Sequence, residues 1–196
     1  MPRIFRITLL VALVLALAIG VAACGDDDDD VADTTTAGAE LVLTGESTTL
    51  TLDEATAARL AANDVEVAPV DPATAGDDGI SFPITGGTIE AESLAGTIEH
   101  SGGLVFSSGG TELEATDFVI DTTNGTLTAT AGDVQIPLLN VDLTALARSE
   151  EEGTIVLRGI ATTLSAEATI ALNDTFGVAV FKEKLPIGTV TVRVTA

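Results

Sequence analysis

From Glu40 onward the chain is a succession of short runs in which Val, Ile, Leu and Thr alternate with polar residues, punctuated by glycines. Period-two alternation places successive side chains on opposite faces of a strand. It is cleanest at Thr189-Val190-Thr191-Val192-Arg193-Val194. Strands are expected at residues 40–44, 47–52, 65–68, 80–84, 88–92, 96–99, 104–107, 112–120, 126–131, 134–141, 154–164 and 189–194. Turn signals fall between them at Gly86-Gly87, Gly102-Gly103, Gly109-Gly110 and Asn124-Gly125. Both residues of an Asn-Gly pair tolerate positive φ, so the last is a hairpin signal.

Two stretches break the strand pattern. Residues 53–63, DEATAARLAAN, start with acid, run through alanines and close on asparagine, which predicts a short helix. Residues 165–173, SAEATIALN, predict a second, with Ser165 as its cap. Each follows a Thr-Thr-Leu strand end, Thr48-Thr49-Leu50 or Thr162-Thr163-Leu164, and each is followed by a Val-x-Val start, Val65-Glu66-Val67 or Val178-Ala179-Val180. Either a pair of strand–helix–strand units flanks a central meander, or an Ala- and Thr-rich chain repeats itself by chance. The class is all-β with two short helices, and the spacing suits an antiparallel sandwich or barrel. An antiparallel β-sandwich, one domain over residues 39–196, is the expectation.

The first 23 residues read differently. Arg3 and Arg6 precede an apolar or small run from Ile7 to Ile19, then Gly20 and Val21-Ala22-Ala23-Cys24. This is the order of a secretory signal, too short to span a bilayer. Cys24 sits where the lipobox of bacterial lipoproteins places its cysteine, and the motif is similar to that lipobox. Lipid on Cys24 would hold the exported chain at the outer face of the cell membrane, since each buried methylene contributes about 0.8 kcal/mol. Residues 24–38 contain five consecutive aspartates, Asp26 to Asp30. Like charges extend such a run, which reads as a solvated tether; a calcium loop spaces its ligands with turn residues.

Composition narrows the function classes. The 196 residues carry 30 acidic and eight basic side chains, a formal charge of −22. Loss of residues 1–23 takes two arginines and leaves six bases against 30 acids, or −24. Such a field repels nucleic acid, which is excluded as a partner. One histidine, His100, and one cysteine, Cys24, leave no catalytic triad and no zinc ligand set, so neither catalytic nor metal-site residues are assigned. Asp121-Thr122-Thr123 departs from the aspartic-protease triplet at Thr123 and reads as a hairpin end. Phe82, Phe106, Phe118, Phe176 and Phe181 sit in apolar contexts that suit core packing. Lys182 and Lys184, in FKEKLP, form a basic island that is either a solvated loop or a steering site for an anionic ligand.

Residues 80–129 contain Phe82-Pro83-Ile84-Thr85-Gly86-Gly87, then GTIEHSGGLVF over residues 96–106, then FVIDTTNGTLTA over residues 118–129. This stretch resembles the HtaA domain of actinobacterial surface and secreted haem-uptake proteins, and residues 164–188 resemble that domain's closing segment. The resemblance implies a β-sandwich with short helices and a haem iron held by tyrosine, supported by a histidine of the motif. His100 takes the histidine position, but the chain contains no tyrosine. With Cys24 acylated and Met1 removed, His100 is the candidate haem ligand, and Phe106, Lys182 and Lys184 are candidates for lining or steering toward a pocket. Lys182, Lys184, Arg158 or Arg193 would have to offset the acidic shell for haem propionates to approach. Two readings follow. One is a surface lipoprotein with an HtaA-like non-enzymatic binding or structural sandwich domain that has lost the tyrosine site, meeting a small apolar ligand or an envelope protein. The other is a haem-uptake lipoprotein that uses His100.

Overall fold

The computed structural model describes residues 38–195; the signal segment, Cys24 and the aspartate run lie outside the described residues. Among the described residues, thirteen strands and two helices follow one another: β1 Glu40–Val42, β2 Thr44–Leu52, α1 Glu54–Ala61, β3 Glu66–Val70, β4 Thr74–Gly76, β5 Gly79–Glu90, β6 Gly96–His100, β7 Gly103–Ser108, β8 Thr111–Asp121, β9 Thr126–Ala131, β10 Val134–Asp142, β11 Ala147–Glu151, β12 Thr154–Leu164, α2 Ala166–Phe176 and β13 Pro186–Thr195. The all-β class with two short helices is as expected. Among the described residues no helix is long and apolar enough to cross a membrane.

The pairing replaces the expected sandwich with a closed ring. Eight strands run β5-β2-β13-β12-β10-β9-β8-β6, and β6 pairs back to β5, every step antiparallel. Closure depends on two long strands that change partners along their length. On one flank β5 meets β4 through Ser81 and then β6 from Ile84 onward, while β8 meets β7 through Thr116 and then β6 from Val119. A closed ring removes the free edges that two stacked sheets would have to protect. The flap β7-β3 branches off β8, β1 lies along the end of β5, and β11 lies along β12.

Gly86-Gly87, expected as a turn, is inside β5. The ladder to β6 shifts between Ile84 and Gly86, and Gly87 has φ 121°; a Cβ there would lie 2.2 Å from the Thr97 carbonyl oxygen. The glycine pair therefore allows close approach of β6 and lets one strand run through. Gly103 of the GTIEHSGGLVF stretch serves the same purpose, since its Cβ would sit 2.1 Å from the Ala115 carbonyl oxygen on β8.

The helices form where capping predicts. Asp53 Oδ1 accepts from the Thr56 amide at 2.9 Å, and Ser165 Oγ accepts from the Ala168 amide at 2.9 Å. Strands β2 and β12 both flank β13 antiparallel, so their C-terminal ends, and with them both helices, sit at one end of the barrel. Of the two repeated segments, both have a strand followed by a helix, and the likeness ends after α2. Val178-Ala179-Val180 starts no strand. There the Asn173 side chain takes both backbone groups of Phe181, donating to its carbonyl at 3.0 Å and accepting from its amide at 3.2 Å. An amide that binds a backbone N–H and C=O together does the work of a neighbouring strand.

The opposite end of the barrel is made of turns: residues 91–95 between β5 and β6, residues 122–125 between β8 and β9, and residues 143–146 between β10 and β11. The chain also enters at this end, where Gly38 and Ala39 bond to Glu90 and Ala91. Between the two ends runs an aliphatic interior that includes Leu43, Ile89, Ile98, Leu157 and Val192, with Phe82 tilted against Phe118 at a centroid distance of 5.1 Å.

Candidate functional site

His100 closes β6 and points into the barrel, where 5 % of it remains exposed. Its Nδ1 donates to the Phe118 carbonyl at 3.0 Å, which leaves Nε2 as the acceptor for the Thr48 hydroxyl at 2.7 Å. Both ring nitrogens are thus engaged, one by the neighbouring strand β8 and one by β2, which lies beyond β5 in the ring. Burial among hydrocarbon pushes the imidazole down to about 4, and the Phe118 carbonyl bond opposes this only in part. The ring is neutral at physiological pH and cross-braces two strands.

Three cavities are strung along the barrel axis. The middle one, about 20 Å³, is lined by His100 and Thr48 together with Phe82 and Phe118. A space that size admits about one water, and its walls are hydrocarbon apart from groups already bonded to each other. Toward the helix end it adjoins a second cavity of about 40 Å³, with Leu50, Leu104, Leu138 and Leu139 lining both. Phe106 lies in the wall of that second cavity, facing the Leu60 and Leu172 side chains of the two helices and Phe181 of the segment before β13. Toward the turn end, Ile120 lines both the middle cavity and a third of about 120 Å³.

The expected site residues do not share one cavity: His100 lines the middle one and Phe106 the next. Phe106 is core and belongs to the helix end. Lys182 and Lys184 are exposed on the segment that carries buried Phe181 and Leu185 past that end. Arg158 and Arg193 are committed elsewhere: Glu151 bonds both, at 2.9 and 3.0 Å, and Arg193 also reaches Glu46 at 3.4 Å. These two arginines hold Glu151 well below the usual carboxylate range through their hydrogen bonds. Asp121 ends its hairpin as expected, accepting from the amides of Thr123 and Asn124 and from the Asn124 side chain, which keeps its carboxyl low. Thr48 was not singled out from the sequence. Its signal was available in the inward-facing alternation of β2, where Thr48 and Leu50 are both buried.

Haem fits these residues poorly. The imidazole has no nitrogen lone pair free of a hydrogen bond, the adjoining space holds a water rather than a macrocycle, and the chain supplies no tyrosine. Among the described residues no group of three or more His, Cys, Asp and Glu side chains is arranged to hold a metal ion.

No protein-family model matches the chain, and no curated protein matches it. Among solved structures, the crystal structure of the C-terminal domain of HtaA from Corynebacterium glutamicum is similar at a TM-score of 0.57 and 13 % identity, covering 79 % of this chain and 98 % of that one. The crystal structure of heme binding protein HtaB from the same organism gives a TM-score of 0.44 at 12 % identity, over 80 % of this chain and 96 % of that one. The likeness to the first is one of fold, and it spans nearly the whole crystallised domain. By fold, the described residues form an HtaA-like domain.

Proposed function

We propose that this chain is an exported, lipid-anchored surface protein whose HtaA-like barrel is a non-enzymatic binding or structural module without a haem-iron site. The observation that carries the haem part is His100: the side chain in the motif's histidine position spends both nitrogens on Thr48 and Phe118, inside the wall of the barrel. A donor in that state ligates iron only after the Thr48 hydroxyl leaves and the core opens around it, and among the described residues no second axial donor lines the same cavity to repay that loss. Support for the anchor is the order of Arg3 and Arg6, the apolar run and Val21-Ala22-Ala23-Cys24.

Haem titrated into the full-length protein is expected to give no saturable Soret shift. A saturable shift at low micromolar haem, lost in His100→Ala while the far-UV circular dichroism keeps its strand signature, would replace this reading with a haem carrier. The anchor is tested separately by fractionation. Cys24→Ser is expected to move the protein out of the membrane fraction or leave an uncleaved precursor, and unchanged partitioning would refute lipidation there.

A further inference from the structure

The turn end of the barrel encloses about 120 Å³, three times the space at the helix end and six times that beside His100. Its walls are Leu94, Ile98, Leu143, Leu146, Leu157 and Ile160 with their neighbours. Two polar side chains reach it, and both are already partnered. The Thr122 hydroxyl bonds the carbonyls of Leu94 and Gly96 at 2.6 and 3.0 Å, and the Ser93 hydroxyl donates to Glu90. Both hydroxyls have spent their protons, so water entering would find only their remaining lone pairs to donate to and no donor to accept from, short of the two to four well-placed partners an ordered water needs. An apolar cavity of about 150 Å³ with a comparable lining stays dry and takes up benzene or xenon.

The mouth is built to move more readily than the walls. Leu143 and Leu146 come from the connection between β10 and β11 and are only half-buried, while Leu94 belongs to the turn between β5 and β6. The Arg148 guanidinium at the start of β11 bonds the Ala91 carbonyl at 2.5 Å and fastens one side of this mouth to the other. Carboxylates adjoin the lining at Glu90, Asp121 and Asp142, while the neighbouring cations are all engaged, Arg148 on the Ala91 carbonyl and Arg158 and Arg193 on Glu151 and Glu46. The field of the carboxylates opposes an anionic guest.

We propose that the turn end of the barrel is a binding site for a small, uncharged, apolar molecule of about the size of one aromatic ring, entering between the 91–95 turn and the 143–146 connection. The recognition is by shape and hydrocarbon contact, without a polar anchor.

Benzene titrated into the full-length protein, with methyl groups followed by NMR, tests this. Saturable shifts are expected at Leu94, Leu143, Leu146 and Ile160, and benzoate, the same ring with a carboxylate, should bind at least tenfold more weakly. Leu146→Phe and Val141→Leu, which add bulk to the lining, should each weaken benzene binding tenfold or more. An unshifted set of turn-end methyls in folded wild-type protein would overturn the proposal. So would saturable shifts confined to the middle or helix-end cavities, or benzoate binding as well as benzene. Should either variant fail to fold, the shift map of the wild type decides alone.

Discussion

At the helix end of the barrel, α1 and α2 lay Leu60 and Leu172 against Phe106 and Phe181, and about 40 Å³ is left over. At the turn end, three connections meet over Leu94, Leu143 and Leu146, and about 120 Å³ remains. Both ends are apolar, so hydrophobicity does not separate them. The difference is in what positions the side chains. A capped helix carries a stripe of apolar residues at fixed spacing and can be set against a facing stripe. A turn obeys its own hydrogen bonds first: Asp121 gathers the amides of Thr123 and Asn124, Asp142 Oδ1 takes the Thr144 amide at 2.9 Å, and Thr122 holds the Leu94 and Gly96 carbonyls. The apolar neighbours of those residues take whatever positions the turns leave them, and density falls.

Truncation should expose this contrast most strongly. Phe181→Ala at the helix end removes a ring that is 5 % exposed and clasped through its backbone by Asn173. A loss of about 3–5 kcal/mol is expected from transfer plus cavity terms. Leu143→Ala at the turn end removes a half-buried side chain beside space that is already vacant, and about 1 kcal/mol is expected. Urea unfolding of both variants measures the pair. Equal losses would show that the two ends are packed alike.

A second test acts where the regions meet. The imidazole of His100 is lowered to about 4 in the folded protein, below its ordinary 6.5. Between those values the unfolded chain binds the proton and the folded one does not, so stability present above pH 6.5 falls as the pH drops and this contribution is gone by about pH 4. Roughly 3 kcal/mol is at stake over that window. His100→Asn should flatten the wild-type slope there. Glu151, lowered from 4.5, and Asp121 and Asp142, lowered from 3.8, begin to act only near and below those values, so the upper part of the window belongs to His100. An identical slope in the variant would mean that the histidine protonates without cost to the fold.

How much of this was legible beforehand follows from the range of the interactions involved. Strand positions and both helix caps are local, and period-two alternation with Asp53 and Ser165 announced them. Ring closure is not local. It rests on β5 and β8 changing partners midway, with a bulge beside Gly86 and another between Thr116 and Val119, and nothing in either strand's alternation marks which half pairs with what. Two short strands, β4 and β11, were missed for a related reason: Thr74–Gly76 and Ala147–Glu151 are almost wholly exposed and carry no apolar face to read. At the site, the motif pointed to His100 but could not show that Thr48, 52 residues earlier, would occupy its second nitrogen.

The smallest expected effect concerns the latch at the turn end. The Arg148 side chain is exposed, and its bond to the Ala91 carbonyl spans 57 residues of sequence. An exposed hydrogen bond of this kind contributes about 0.5 kcal/mol, so Arg148→Ala should barely move the urea midpoint. Its local consequence should be larger than its global one. The Leu94 amide bonds the Glu90 carbonyl inside the same turn, and opening that turn locally breaks bonds of the turn rather than the ladder of the barrel. Hydrogen exchange at Leu94 and Ala95 should accelerate several-fold in the variant, while the amides of Leu60 and Leu172 at the helix end keep the wild-type rate. If acceleration reached both ends equally, the latch would be acting on the whole barrel, and the turn end would not be an independently opening mouth.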